Sequence, residues 1–214
     1  MELNQVTYGN PNQSTKVLIS QKGLVDSLFE ELKNTDMPLN DSELTKEELN
    51  EVAEGISLLE DKENDYFLKR YKSYDRSLIQ SLTTIFKQRG VDVEQVCTQI
   101  QDDINPLIAK LKVHFNRPRP YQLANYYKLK LFPFDSFSAN SASYPSGHTL
   151  QASVMLNVIG SMYPTQYKYC RNIIDDIAES RINLGLHYPS DNDFALEVAD
   201  KILKHKEFSK KYHI

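Results

Sequence analysis

Apolar residues recur every three or four positions along most of this chain, and that spacing constrains its fold more than any other feature. A repeat of this period places apolar side chains on one face of an α-helix. The segments that show it span about residues 24–32, 45–56, 63–88, 96–111, 148–162, 170–184 and 191–203. Strand content is negligible, with a short strand expected only at 17–19. The pattern therefore predicts an all-α fold, a single-domain helical bundle of about seven helices.

Composition narrows the class of protein. The 214 residues are 40% hydrophobic and 25% charged, which suits one globular domain with a sizeable core. The formal net charge of −4 predicts no general attraction to nucleic acid. No apolar run approaches the roughly 20 residues that span a bilayer, and the polar N-terminus lacks the apolar core of a signal peptide. Two cysteines on helical apolar stripes do not predict a disulfide scaffold, so we expect a cytoplasmic protein without a membrane span.

The chain divides into an arm and a helical part. Residues 1–22 are rich in Asn, Gln, Ser and Thr, and we interpret them as an arm without assigned chemistry. Residues 23–214 are predicted to form the single helical domain. Within it, the apolar stripe of 63–88 predicts one long helix that ends before Gly90. The acidic residues around the helix at 45–56 are interpreted as a solvated face.

Arg181 lies on the apolar face of a predicted helix. An unpaired buried guanidinium is very costly, and no carboxylate lies one turn earlier, so its anionic partner must come from elsewhere in the fold or from a ligand. Gly185 ends this helix, and Pro189 prevents an ordinary helix from His187 to Asp191. We expect Asp191 to cap the last helix with its carboxylate near His187, an arrangement that can activate a nucleophile. The alternative is a structural Arg–Asp pair beside a surface histidine.

Two further stretches could bind an anion. A helix begins at Ser146-Gly147-His148, where free N–H groups and the positive end of the helix dipole attract negative charge. Upstream, another helix ends with Lys112, and an Arg-Pro-Arg-Pro run fixes the directions of Arg117 and Arg119. The plainer alternatives are an ordinary serine cap beside an incidental histidine, and a basic helix end exposed to solvent.

Taken together, these residues predict phosphoryl chemistry. Three cations, Lys112, Arg119 and Arg181, match the oxygens of a phosphoryl group, whose transfer needs positioning and charge stabilisation above all. The two histidines, His148 and His187, can supply a nucleophile and a general acid. A metal site built from the histidines and the carboxylate after them is an alternative by residue type, although three adjacent cations would repel a metal ion.

The same residues resemble the signature of a superfamily that unites class A bacterial acid phosphatases, phosphatidic-acid-phosphatase-like enzymes and vanadium-dependent haloperoxidases. That signature reads Lys-x6-Arg-Pro, Pro-Ser-Gly-His and Ser-Arg-x5-His-x3-Asp. Here its parts occupy residues 112–120, 145–148 and 180–191, with every signature position intact. The resemblance covers about residues 95–205.

The resemblance implies a role for each motif residue. His187 would attack phosphorus and become a phosphohistidine, Asp191 would orient it, and His148 would protonate the leaving oxygen and then activate water. The residues implied to hold the phosphoryl oxygens are Lys112, Arg119, Ser146, Gly147 and Arg181. The resemblance also implies a phosphomonoesterase that needs no metal and no cofactor. Composition predicts that this enzyme is soluble, and we expect vanadate to inhibit it because vanadate can mimic the five-coordinate transition state.

Two other functions stay open at this point. The same pocket could hold vanadate as a cofactor and oxidise halide with peroxide, although known haloperoxidases of this kind are much larger. A non-catalytic phosphate-binding protein is the second alternative. The expected partner is a small phosphorylated substrate, and a homo-oligomer is left open.

Residues 121–144 join the two phosphate-binding segments as a long, aromatic-rich, irregular stretch. A loop of this length in a compact domain is often functional. We expect its aromatic side chains to line the leaving-group side of the pocket, and the alternative is that they pin the loop to the core. The candidates are Tyr126, Tyr127, Phe132, Phe134, Phe137 and Tyr144.

Overall fold

The computed structural model describes residues 2–214, which form α-helices joined by turns and short 3-10 helices. The α-helices are α1 (Gln13–Ser20), α2 (Phe29–Leu32), α3 (Glu43–Glu60), α4 (Asp65–Arg76), α5 (Leu78–Lys87), α6 (Glu94–Phe115), α7 (Pro120–Ala124), α8 (Gly147–Met162), α9 (Tyr167–Asn183), α10 (Pro189–Lys204) and α11 (Lys206–Tyr212). Seven of them contain ten or more residues, and none of the described residues belongs to a strand. The predicted all-α bundle is confirmed.

Helix α8 lies at the centre of the bundle, packed against α6, α9 and α10. Its side chains are buried around most of its circumference, as Leu150, Val154 and Ile159 show with no exposed surface. A helix with apolar residues around most of its circumference belongs inside a fold, so the position of α8 follows from its sequence. The positive end of this buried helix dipole consequently lies at residues 146–148, inside the molecule.

The helix predicted over 63–88 is divided into α4 and α5, so that prediction is wrong in one respect. Ser77 lies between them with an extended backbone (φ −161°, ψ 106°). Its hydroxyl accepts the N–H of Gln80 at 3.3 Å and thereby caps α5. The apolar spacing continues across the break, which is why periodicity does not reveal it. The break leaves Asp75 in the last turn of α4.

The strand expected at 17–19 is also wrong, because these residues belong to α1. Asn12 begins the helix, since its side-chain oxygen accepts the N–H of Thr15 at 2.8 Å. Its amide nitrogen donates to the carbonyl of Asn140 at 2.8 Å, while α1 packs against α6. The N-terminal segment therefore connects α6 to the loop that precedes α8. The division into an arm and a helical domain stays a prediction.

Candidate active site

Six of the eight residues that the sequence analysis selected line one cavity of about 410 Å³, located where several helices end. These six are Lys112, Arg119, Gly147, His148, Arg181 and His187. The remaining two, Ser146 and Asp191, are fully buried and do not line it. Among residues 2–214, no group of three or more His, Cys, Asp and Glu side chains is arranged to hold a metal ion.

The buried His187 ring is held by hydrogen bonds at both of its nitrogens. Nδ1 lies 2.9 Å from Asp191 Oδ2, and Nε2 lies 3.0 Å from Arg119 Nη1. A guanidinium can only donate, so Nε2 accepts and the ring proton is on Nδ1. Burial, together with the positive charge of Arg119, lowers the pKa of His187 well below its ordinary value. The ring is therefore neutral, with a lone pair on Nε2.

Donors surround the Asp191 carboxylate. Its Oδ2 accepts from His187, from the Ser143 hydroxyl and, at 3.1 Å, from the Tyr188 N–H. Its Oδ1 accepts from Arg117 at 2.7 Å. Burial alone would raise the pKa of Asp191, but the Arg117 guanidinium and the hydrogen bonds of His187 and Ser143 hold it well below its usual range. Asp191 is thus a fixed negative charge behind the imidazole.

The start of α10 differs from the prediction. Asp191 was expected to be the cap residue, but Tyr188 occupies that position and Pro189 is the first helical residue. Proline is well suited to the first turn, because its missing N–H would have no partner there. As the third residue of α10, Asp191 accepts the Tyr188 N–H, as in a capping box, and still reaches His187 as predicted.

Arg117 is a residue that the sequence analysis did not assign to the site. Its fully buried guanidinium lies 2.7 Å from Asp191 Oδ1, 3.0 Å from Glu48 Oε2 and 3.9 Å from the centre of the Tyr188 ring. Glu48 is an exception to the solvated acidic face expected around this helix, because it is 4% exposed and also accepts the Ser190 N–H. These contacts fix the Asp191 carboxylate to α3.

The anionic partner that Arg181 requires is Asp75, in the last turn of α4. Arg181 Nη2 donates to Asp75 Oδ1 and to the Ser138 hydroxyl, both at 3.0 Å. Burial would raise the pKa of Asp75, but Arg181, the hydroxyls of Ser138 and Ser136, and the N–H of Phe137 lower it to about 2. The Nε and Nη1 groups of Arg181 have no hydrogen-bond partner among the described residues, so they remain available to an anion.

Lys112 and Arg119 hydrogen-bond mainly to backbone carbonyls, which do not neutralise their charges. Lys112 Nζ donates to two carbonyls of the loop before α8, at 2.6 and 3.2 Å. Arg119 donates to the carbonyls of Ser141 and Leu186, at 2.9 and 2.7 Å. Burial and neighbouring cations lower the pKa of Lys112 well below its ordinary value and that of Arg119 to about 10. A buried cluster of like charges favours a bound anion.

The start of α8 also suits an anion. The Ser146 side chain does not cap the helix and instead lies 2.9 Å from Thr149 Oγ1. The alternative of an ordinary serine cap is therefore wrong, and the first N–H groups of α8 have no side-chain cap. A Cβ added to Gly147 would lie 3.6 Å from Lys112 Cε, so glycine keeps the space next to that cation open.

His148 lies among these charges. Burial is the largest cause that lowers the pKa of His148, and the charges of Arg181 and Lys112 add to it. Asp75 opposes the shift, and the resulting pKa is about 3. The ring is therefore neutral at neutral pH when no anion is bound. Negative charge beside the cations would offset their repulsion and raise the pKa of His148.

This shift predicts that the free energy of unfolding falls as the pH drops from about 6.5 to 4.5, measured without phosphate. Over this range the unfolded chain binds a proton at His148, with an ordinary pKa near 6.5, and the folded chain does not. Protonation therefore favours the unfolded state, with a slope of up to about 1.4 kcal/mol per pH unit from this residue. His187, whose pKa is also lowered well below its ordinary value, adds a slope of the same sign over this range, whereas Asp75, with its pKa of about 2, contributes only below it.

Denaturant unfolding of two variants provides the comparison. His148→Asn should reduce the slope by the part that His148 contributes and leave the part that arises from His187, whereas His213→Asn, at an exposed position near the C-terminus, should leave the slope unchanged. A slope that stays the same in His148→Asn would contradict the lowered pKa.

Of the six aromatic candidates, Phe137 alone lines the cavity. Its ring is 71% exposed and lies 5.5 Å from the Arg76 guanidinium. Tyr144 is instead buried and stacked on Phe194 at 4.5 Å, whereas Phe132 is 75% exposed away from the cavity. The expectation that the aromatic set forms the leaving-group side is therefore wrong for five of its members.

Comparison with known proteins is consistent with this geometry. Residues 104–196 match the family model described as the PAP2 superfamily, and this range contains all three motifs. None of the curated proteins matches the chain.

The fold is similar to a solved structure described as the first transmembrane PAP2-type phosphatidylglycerolphosphate phosphatase from Bacillus subtilis. The two chains share 17% sequence identity with a TM-score of 0.51, over 86% of this chain and 90% of that chain. Within residues 2–214, no helix has both the length and the apolar character needed to cross a membrane. The region that matches the PAP2 superfamily model, residues 104–196, is the region that carries the three motifs, so the family match and the motif resemblance point to the same superfamily.

Proposed function

We propose that this protein is a metal-independent phosphatase that hydrolyses phosphomonoesters through a phosphohistidine intermediate. The PAP2 match supports phosphatase activity and an acid-phosphatase-like hydrolase of phosphoric monoesters. The observation that carries the proposal is the neutral His187 ring, which lines the cationic cavity and is held by Asp191 at Nδ1 and by Arg119 at Nε2. Solubility and cytoplasmic location stay predictions from composition.

Substrate binding would use the uncompensated positive charges. Lys112, Arg119 and the unpartnered Nε and Nη1 groups of Arg181 can donate to phosphoryl oxygens, together with the first N–H groups of α8. Arg119 now donates to His187 Nε2, so a bound phosphoryl oxygen would take over that donor and release the lone pair for reaction. The bound negative charge would also raise the pKa of His148, so that this residue holds a proton.

Phosphoryl transfer then proceeds in two steps. In the first, His187 Nε2 forms a bond to phosphorus while the bond to the leaving oxygen breaks, and His148 gives that oxygen its proton. Asp191 stabilises the positive charge that develops on the imidazole. In the second step, His148 takes a proton from water as the water oxygen attacks phosphorus. The N–P bond breaks, its electron pair returns to His187, and phosphate leaves.

We expect vanadate to inhibit hydrolysis of p-nitrophenyl phosphate, with an inhibition constant at least about tenfold below that of phosphate. Vanadate can adopt the five-coordinate geometry of the transition state, which an active site binds more tightly than the ground state. Steady-state kinetics without a chelator measures the inhibition. EDTA is tested in a separate assay without vanadate, because EDTA binds vanadate, and there it should leave the rate unchanged.

Two results would contradict this mechanism. One is a loss of activity in EDTA that a divalent ion restores. The other is the absence of phosphate release combined with bromination of a dye when vanadate and peroxide are added, which would favour the haloperoxidase alternative.

A further inference from the structure

Beyond the cationic cluster, the cavity continues along one face of α6. Lys112, Ile108, Asn105 and Gln101 line it at successive turns of the helix. A helix rises 1.5 Å per residue, so Asn105 lies about 10 Å and Gln101 about 16 Å along the axis from Lys112. A phosphoryl group at Lys112 leaves this part of the cavity free for the leaving group.

Two amide side chains meet at the middle of this stretch. Gln151, one turn after the start of α8, donates from Nε2 to Asn105 Oδ1 at 2.7 Å. That bond fixes both side chains and uses one donor and one acceptor. The Asn105 Nδ2 donor and the Gln151 Oε1 acceptor have no hydrogen-bond partner within residues 2–214, and each amide is only partly buried. One donor and one acceptor are thus presented side by side.

The N-terminal helix α1 contributes to the same cavity. Ser14, Thr15 and Leu18 line it, and Asn12 ties the start of α1 to the loop before α8. We call the group formed by Gln101, Asn105, Gln151, Ser14 and Thr15 the amide wall. Its α1 members and Gln101 precede the range that matches the PAP2 model, so that match says nothing about them.

The charges around the amide wall restrict what it can hold. The one carboxylate that lines the cavity is Asp75, which is already paired with Arg181, so a cationic leaving group would find no counter-ion. Apart from the phosphate-binding cluster, the cation lining the cavity within residues 2–214 is Arg76, which lies over Phe137. A hydrocarbon tail would remove water from the amides without replacing their hydrogen bonds, which is unfavourable.

We propose that the amide wall binds the leaving group, and that the preferred substrates are phosphomonoesters of small, neutral, polyhydroxylated alcohols such as sugars. This inference rests on the proposed function. Hydroxyl groups both donate and accept, so they match the open Asn105 donor and Gln151 acceptor. The carbon skeleton of such an alcohol can lie against Ile108 and Leu18. The cavity of about 410 Å³ is at the small end of the roughly 300–1,000 Å³ typical of ligand sites.

The test compares glucose 6-phosphate with hexyl phosphate, since both release a primary alcohol of equal carbon number. They differ in the hydroxyl groups and in the ring of the sugar, and the amide variants below separate these two differences. The full chain should hydrolyse glucose 6-phosphate with at least about a tenfold higher kcat/KM, on the scale of one or two well-made hydrogen bonds. Hydrolysis of p-nitrophenyl phosphate, measured in parallel, reports whether the phosphoryl site works at all.

Variants of the amide wall then test whether its side chains cause the preference for glucose 6-phosphate. Asn105→Leu and Gln151→Met should each lower kcat/KM for glucose 6-phosphate about tenfold, while hexyl phosphate and the inhibition constant of phosphate change less than about twofold. Gln99→Met, at an exposed position of α6 outside this cavity, is the matched control. Ser14→Ala removes one exposed hydroxyl, so it should fold normally and lower the same ratio about threefold.

Each unfavourable outcome has a different meaning. A preference for hexyl phosphate, or an equal loss for both substrates in the variants, would overturn the amide wall while leaving the proposed function intact if p-nitrophenyl phosphate is hydrolysed. Failure to hydrolyse any of the three compounds would overturn both proposals.

Discussion

Replacing His187 with Ala is expected to lower kcat for p-nitrophenyl phosphate by about 10⁴- to 10⁶-fold, the scale of losing a catalytic nucleophile. KM should change little, because the cations that bind the phosphoryl group lie on other elements. The His187 ring is 2% exposed, so the variant leaves a small internal space, and its thermal unfolding must be measured alongside.

The chemistry of the intermediate provides the decisive readout for this variant. Wild-type protein mixed with labelled substrate and quenched in alkali should carry the phosphoryl group on the peptide that contains His187, and His187→Ala should carry none. His213→Ala, at an exposed position, should behave as wild type in both assays. A label found on any other residue would show that the nucleophile lies elsewhere.

The parts of the site that the sequence predicted are those carried by short motifs. His187 and Asp191 lie on either side of the first residue of α10, so local geometry alone brings the Asp191 carboxylate to Nδ1 of His187. Similarly, Gly147 and His148 begin a helix that is buried around most of its circumference, and its packing places them beside the cavity. In both cases the relevant contacts lie within a few residues, where sequence patterns are informative.

The contacts that the sequence did not predict all join distant segments. The buried position of Arg181 required an anion, but nothing in the sequence identified Asp75 as that anion, 106 residues away. Asp75 also lies within a continuous apolar repeat, so the sequence did not reveal the break at Ser77 that places Asp75 at the end of a helix. Periodicity reports which face of a helix is buried and carries no information on which helices meet.

Glu48 is a second case in which a contact with a distant segment could not be predicted from the local sequence. Acidic residues beside an apolar stripe are usually solvated, and several on α3 are exposed. Glu48 differs because Arg117, from a segment 69 residues later in the chain, is buried against it. The aromatic residues of 121–144 were a poor predictor of the pocket for a related reason. Aromatic side chains fill cores as readily as they line pockets, and Tyr144 is buried in the core.

Replacing Arg117 with Met is expected to lower the free energy of unfolding by about 3–5 kcal/mol, because the change leaves Glu48 and Asp191 as buried charges without their cation. Denaturant unfolding at neutral pH is the measurement. Arg70→Met is the matched control, since Arg70 also pairs with an aspartate, Asp176, but both side chains are partly exposed. Its loss should cost about 1 kcal/mol or less.

A second variant separates the ion pair from simple packing. If the cost arises from uncompensated charge, Glu48→Gln combined with Arg117→Met should recover part of the lost stability, because one of the two buried carboxylates is then neutral. The double variant should nevertheless keep a reduced kcat, since Asp191 still lacks the guanidinium that holds it beside His187. Two results would contradict this role of the charge: equal stability losses in Arg117→Met and Arg70→Met, or no recovery of stability in the double variant. Either result would mean that Arg117 stabilises the fold through the packing of its side chain on Tyr188 and does not position Asp191 through its charge.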